Sequence, residues 1–442
     1  MVTKPAPEPA PTVKIHTSLL FDSKAKTFLQ NISLAISPST GLITSLHHRN
    51  HPLPPEIPAP DIDLRGKCVL PGLVDAHTHI FLHAYSDTPA LNQMRDESLV
   101  ERTIRATNHC RTALLAGYTT YRDLGTEGLR DADVHVRDAV NRGLIPGPRI
   151  FCATEALASS AGYEIRHENS GVDGVQMPRI SDPCDGPVGV TAAVRRRVGA
   201  GADVIKFYAD YRKRALRWPE RGCGPAVMFP PEGKGSQGER ERNPNILLFN
   251  QEEMDAVVRE ARTARAPVAA HASAAEAVTM AAKAGVTTIE HGFEPMEGTQ
   301  AIETMREHGT IFVPTLAVAE LYVEMKPVLS QVKAAFDSGV KLACGGDTGA
   351  FAHGDNAREL ELMVQAGVPL EEVLTAATLH GWEACGGEWC GRKFGWLEEG
   401  CAADIVALAG DVREEMGNLR QVEFVMKDGR VWKRDGVAVG MV

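Results

Sequence analysis

The sequence contains no run of about 20 apolar residues, the length a membrane-spanning helix requires. It has no excess of positive charge. Its 47 Lys and Arg stand against 57 Asp and Glu, a formal charge of −10, which argues against nucleic acid as the main partner. None of the nine cysteines falls in a CxxC pair or a regular framework, so reduced thiols in a cytosolic setting are expected instead of disulfides. The opening stretch MVTKPAPEPAPTVKIH is Pro-rich and lacks the apolar core of a signal peptide. Residues 1–11 are therefore expected to be a disordered lead-in, and the expected location is cytoplasmic, with neither membrane nor nucleic acid as partner. What remains has an ordinary globular balance, 43% hydrophobic and 24% charged. At 442 residues it is long enough for one large domain and a smaller one.

A recurring unit occupies most of that length: a helical pattern, a Gly-containing turn, then a short β-branched run. The first such run is VLPGLVDAHTHI (69–80), followed by GYTTYRDLG (117–125), GPRIFCATEA (147–156) and GADVIKFYAD (201–210). APVAAHA (266–272), GVTTIEHG (285–292), GTIFVPTL (309–316) and GVKLACGGD (339–347) complete the set. Between them lie helix-like stretches such as 250–265, where Asn250 precedes acidic residues as an N-cap precedes a first turn. Eight strands alternating with helices predict an α/β fold, a parallel (β/α)₈ TIM barrel over 69–395. The two ends, 12–68 and 396–442, read as short strands and turns, with the Asp-Gly of MKDGRV marking a hairpin. Neither end can enclose a comfortable core alone, so both are predicted to pair into one small β-sandwich domain. The long connections 157–190 and 209–249 would lie on the catalytic face of the barrel.

In a strand, residues i and i+2 share a face, so His77 and His79 project together from the end of the first run. The fourth run carries Lys206, the fifth His271, the sixth His291 and the eighth Asp347. Taken singly, each is ordinary: a lone histidine after an apolar run is more often a hydrogen-bonded core residue, and Asp347 could cap a helix. A barrel would bring all six to one place, where unpartnered polar groups are costly. A bound cation resolves that cost, and imidazole nitrogen with carboxylate oxygen suits Zn²⁺ or a similar divalent ion. Lys206 becomes a ligand only if neutral, or if carbon dioxide adds to it; the resulting carbamate has two oxygens and could bridge two ions.

The segments LPGLVDAHTHI, YRDLG, ADVIKFYADYR, VAAHAS, TIEHG and GGDTGAFAHGDNARELELM resemble the metal-dependent amidohydrolase superfamily. The resemblance is to the branch containing imidazolonepropionase-like proteins, Xaa-Pro dipeptidases and ochratoxinase. GWLEEGCAADIVAL resembles that family's return into its β-sandwich, and the similarity spans nearly the whole chain after residue 12. It implies two divalent metal ions, with His77, His79 and Asp347 on one and His271 and His291 on the other. It further implies an N6-carboxylated Lys206 bridging them. Two such cations would make water nucleophilic near neutral pH, with Asp347 as the catalytic group that accepts and delivers the proton. The expected reaction is hydrolysis of a C–N amide bond in a small-molecule substrate of dipeptide or N-acyl amino acid type.

Tyr163, Tyr208, Arg212 and His353 follow the strand ends and are the expected substrate contacts; Arg122 and Asp123 are expected to pair with each other. Some dipeptidase relatives carry a second histidine where this chain has Ser273, and the long mixed-charge loop 213–245 reads as a mobile lid. Two alternatives stay open: a deaminase or cyclic-amide hydrolase using a single metal, and a scaffold protein, which the six filled ligand positions count against. A homo-oligomer is compatible with either.

Overall fold

Seven of the eight predicted runs contain parallel strands, because each is short, apolar and bounded by Gly or polar residues that stop it. The computed structural model describes residues 12–162, 179–212 and 245–441. Leu73–Thr78, Tyr118–Asp123 and Arg149–Cys152 form a three-stranded parallel sheet. A six-stranded parallel sheet runs in the order Ser181–Pro183, Ala156–Ala158, Ile205–Tyr208, Val268–Ala272, Thr288–His291, Ile311–Val313. Most of these strands are buried along their whole length, as parallel strands covered on both faces are.

Backbone hydrogen bonds link the two sheets on both sides. The amides of Asp203 and Val204 donate to Cys152 O at 2.8 and 3.2 Å. On the other side the segment after Val340 bridges them: Ala343 N donates to Phe312 O, and Ala76 N donates to Cys344 O. The helices that cover the sheets follow the sequence signals. Gln251–Thr263 opens on a capping box, in which Asn250 accepts from the Glu253 amide at 3.0 Å and Glu253 accepts from the Asn250 amide at 2.8 Å.

Two predicted strands differ. The third run breaks at Thr154, whose φ is +64°, into Arg149–Cys152 and Ala156–Ala158, which belong to different sheets. The eighth run is not a strand; it touches its neighbours through the isolated bridges Phe312↔Leu342 and Thr78↔Thr348. Its Gly345 lies so close to the first strand that an added Cβ would stand 2.6 Å from His77 N. Asp347 then turns to φ +61°, which ends any extended run.

The chain ends combine into one nine-stranded sheet. Val13–Asp22, Thr27–Gln30, Ile32–Ser37, Leu42–His48 and Ile62–Pro71 come from the N-terminal side, and Ile405–Leu408, Val422–Lys427, Arg430–Arg434 and Val437–Ala438 from the C-terminal side. Ile62–Pro71 and Ile405–Leu408 pair antiparallel across the junction. Their inward residues, including Ile15, Leu34, Ile43, Val69, Ile405 and Phe424, form a core of their own. The Asp-Gly hairpin is present, with Asp428 and Gly429 both at positive φ. Arg149 ties this sheet to the parallel strands, reaching Asp404 at 2.9 Å and Asp428 at 2.8 Å. Among the described residues, no helix is long and apolar enough to cross a membrane.

The contrast between two glycines gives a test of this packing. Gly345→Ala should lower stability by about 1–3 kcal/mol, because the backbone it meets cannot yield as a side chain would. Gly189→Ala, in the Gly186–Ala200 helix with open space around it, should raise stability by about 0.5–1 kcal/mol. Denaturant titration of both variants reads the two signs; a neutral Gly345→Ala would mean that the eighth segment is free to move off the first strand.

Candidate metal centre

The ends of these segments deliver the six predicted groups. His77 lies in Leu73–Thr78 with His79 just beyond, Lys206 in Ile205–Tyr208, His271 in Val268–Ala272, and His291 closes Thr288–His291. Parallel register sets Tyr208 beside His271 and Ala272 beside His291. The imidazoles form a row: ring centroids are 5.5 Å apart for His79 and His77, 4.9 Å for His77 and His291, and 4.4 Å for His291 and His271. Asp347 faces the row, its Oδ1 3.2 Å from His79 Nε2 and 3.6 Å from His77 Nε2. Ligand atoms of His77, His291 and Asp347 all lie within 4.8 Å of one another, a group able to hold a divalent ion.

The electrostatics follow from burial and from these neighbours. Burial, with Lys206 nearby, lowers the His77 pKa to about 4, and burial with His271 nearby holds His291 well below the usual histidine range. Both therefore present lone pairs, as metal-binding imidazoles must. Burial works against a charged His79, but its hydrogen bond to Asp347 and that carboxylate's charge raise it to about 9. Burial would also raise Asp347, yet His77, His79 and Lys206 together hold it below the ordinary carboxylate range. Lys206 is lowered to about 8 by burial, against the pull of Glu290 and Asp347. Its Nζ is buried without a hydrogen-bond partner. An orphaned amine among imidazoles and a carboxylate is a donor set that fits divalent cations once the amine is neutral or carboxylated.

The other nitrogen of each of three rings is tied down. His77 Nδ1 meets Glu290 Oε2 at 2.8 Å, His79 Nδ1 meets Gly125 O at 2.8 Å, and His291 Nδ1 meets Thr315 Oγ1 at 2.9 Å. Such outer partners fix ring orientation at metal sites. The sequence reading missed Glu290 and Thr315. A signal for Glu290 did exist: a lone acid inside the apolar strand TIEH, matched by a lone Arg122 inside YTTYRD. That arginine does not pair with Asp123. It donates to Glu290 Oε1 at 2.8 Å, while Asp123 accepts from the Ile80 amide at 2.7 Å.

The expected substrate contacts divide. Tyr208 comes to the cluster, its ring 4.9 Å from His271, and Tyr211, which the sequence reading did not single out, lies 5.5 Å from the same ring. Phe293 adds a third aromatic, 5.3 Å from His291. His353 is buried beside His79, stacks on His109 at 4.2 Å, and uses Nε2 on Leu82 O. Arg212 lies in the short strand Asp210–Arg212, its side chain outside the described residues; Tyr163 and the loop 213–244 also lie outside them. Asp210, also missed, accepts from the amides of Ser273 and Ala274, and so fixes the turn that follows His271.

Comparison with known proteins finds similar chains. Ochratoxinase of Aspergillus niger is 29% identical over 412 residues, covering 84% of this chain and 77% of that protein. Its crystal structure superposes with a TM-score of 0.76 at 25% identity, covering 98% of each chain. A Xaa-Pro dipeptidase solved with methionine in its active site gives a TM-score of 0.75 at 30% identity, over 96% of this chain and all of that one. The amidohydrolase family pattern matches residues 68–432, a span holding every histidine, lysine and aspartate of the site; this chain belongs to the amidohydrolase family.

Proposed function

We propose that this chain is a metal-dependent amidohydrolase that cleaves amides of dipeptide or N-acyl amino acid type at the cluster just described. The chain is a hydrolase acting on the C–N amide bond of a small substrate. The observation that carries the finer reading is the partnerless Lys206 amine, buried within electrostatic reach of His77, His291 and Asp347. His77, His79 and Asp347 would hold one divalent ion, His271 and His291 a second, and a carbamate on Lys206 would join the two. We read the two parallel sheets as one (β/α)₈ TIM barrel over 69–395, with 12–68 and 396–442 as its companion β domain.

Divalent ions at such a centre supply Lewis acidity, which lowers the pKa of water and polarises a carbonyl. The residues do the rest. Asp347 accepts the proton of the water that attacks the carbonyl carbon, then gives it to the nitrogen as the C–N bond breaks. Its contacts with His79 and His77 keep it aimed at that position. Tyr208, Tyr211 and Phe293 border the His271–His291 half, where they would pack against a flat or apolar substrate group. Tyr163 and Arg212 join the proposed substrate contacts. His353, held by His109 and Leu82 beside His79, is the remaining proposed contact. The similar solved structures include the Xaa-Pro dipeptidase and a prolidase bound to N-methylphosphonate-L-proline, which supports a small amide of this size.

One observation favours a single-ion reading: His77, His291 and Asp347 by themselves assemble within 4.8 Å. Metal analysis of protein purified without chelator separates the two. About two equivalents per chain are expected, with loss of one in Lys206→Ala; one equivalent, unchanged in that variant, would replace the dinuclear reading by a mononuclear deaminase or cyclic-amide hydrolase.

Turnover gives the second test. A panel of dipeptides and N-acyl amino acids with Zn²⁺, Mn²⁺ or Co²⁺ should show hydrolysis that chelation abolishes. Asp347→Asn should lower kcat by about 10²–10⁴-fold with the fold intact by circular dichroism. Undiminished activity of metal-stripped protein would end the proposal.

A further inference from the structure

Below the imidazole row, one guanidinium ties its own strand to three other segments at once. Arg122 Nε donates to Ala76 O, NH1 to Thr288 Oγ1 at 2.9 Å and to Ala384 O at 3.0 Å, and NH2 to Glu290 Oε1 at 2.8 Å. Thr288, having accepted from Arg122, donates its own hydroxyl proton to the same Glu290 oxygen. That oxygen is now doubly supplied with donors. The other, Oε2, faces His77 Nδ1 at 2.8 Å. Both Arg122 and Glu290 are fully buried.

Hydrogen-bond accounting then decides the state of His77. A carboxylate oxygen can only accept, so His77 Nδ1 must carry the proton, and Nε2 must carry the lone pair. Nε2 is the nitrogen that faces Asp347. Arg122 also grips the carbonyl of Ala76, the residue just before His77, so backbone and ring are aligned by the same side chain. Their hydrogen-bonded link to the row of imidazoles is through His77; on Lys206 they act only through charge.

We propose that Glu290, clamped by Arg122, is a positioning residue that locks His77 in the Nδ1–H tautomer and ring plane required to bind a divalent cation through Nε2. This rests on the metal-centre reading above. Two substitutions separate its parts. Glu290→Gln keeps the shape but leaves a single oxygen for two sets of donors, so its amide must oppose either Arg122 or His77. Glu290→Asp keeps the charge for Arg122 but shortens the reach to His77 by one methylene, and it stays informative if the glutamine variant fails to fold.

The experiment titrates Zn²⁺ alone into metal-stripped protein against a chromophoric chelator, and records the visible spectrum of the Co²⁺-loaded form. Both variants should bind Zn²⁺ about 10–100-fold more weakly than wild type, with an altered Co²⁺ spectrum. Nitrogen-15 correlation spectra of the metal-free Glu290→Gln protein should show His77 losing its single tautomer. Val140→Ala, a buried core truncation in the Ala132–Asn141 helix far from His77 in sequence, serves as the control for general destabilisation and should leave affinity within twofold. Wild-type binding with both Glu290 variants also within twofold, or a loss equal to that of Val140→Ala, would overturn the positioning role alone. Failure of the wild-type chain to bind Zn²⁺ would overturn the metal-centre reading and this inference with it.

Discussion

The rest of the structure depends on a buried ion pair. Arg122 and Glu290 are both fully excluded from water, and removing two ions from water costs on the order of several kcal/mol each. The attraction between them offsets that cost only if further hydrogen bonds are made. Four of the five guanidinium hydrogens are placed, on Ala76, Thr288, Ala384 and Glu290, and Glu290 takes donors on both oxygens. An apolar pair of the same volume could fill the space as stably. It could not define which segments meet, because apolar contact has no direction. The pair thus fixes the relative height of the first, second and sixth strands, and therefore where their terminal histidines stand.

Much of this was legible in the sequence, and what was not has physical reasons. The strand ends are readable because period-two alternation decides which side chains share a face, and no distant contact alters that for His77 and His79. The capping box at Asn250 is local chemistry and reads directly from NQEE. The eighth segment reads as a strand because GVKLACGGD has the right composition. Its conformation is set instead by close approach to a strand some 270 residues away, where Gly345 leaves no room for a Cβ against His77 N. The break at Thr154 is likewise invisible, since a threonine at φ +64° has no local signature. Arg122 beside Asp123 suggested an adjacent pair, but neighbours in a strand point to opposite faces. The arginine had to find its acid across the sheets.

The terminal sheet contributes to the site without touching it. Ile62–Pro71 is followed within two residues by Leu73–Thr78, so the strand that carries His77 enters directly from the nine-stranded sheet. Arg149, in the third parallel strand, is held by Asp404 and Asp428 from the far end of the chain. Lys427 adds a bond to Gly147 O. Residues before 72 and after 401 thereby fix two parallel strands from their N-terminal ends, the ends opposite the site. A sheet built from both termini also cannot form until the whole chain is present, which couples its folding to that of the strands between.

The backbone at the site points the same way. His291, Thr315 and Asp347 all adopt positive φ, at +80°, +50° and +61°, a region where non-glycine residues cost on the order of 1–3 kcal/mol each. Three such residues in direct contact, or one contact apart, would be poor design if stability alone were selected. Their geometry explains them. An extended strand sends successive side chains to opposite faces, so a ligand that must leave that alternation needs a left-handed turn at its own position. His291 makes that turn where its strand stops, and Thr315 makes it to bring a hydroxyl under the His291 ring. Asp347 makes it two residues after Gly345, the glycine that lets the eighth segment lie against the first strand. Strain at these turns and the close approach of the eighth segment then share one consequence: His77, His291 and Asp347, from three separate segments, bring their ligand atoms within 4.8 Å of one another.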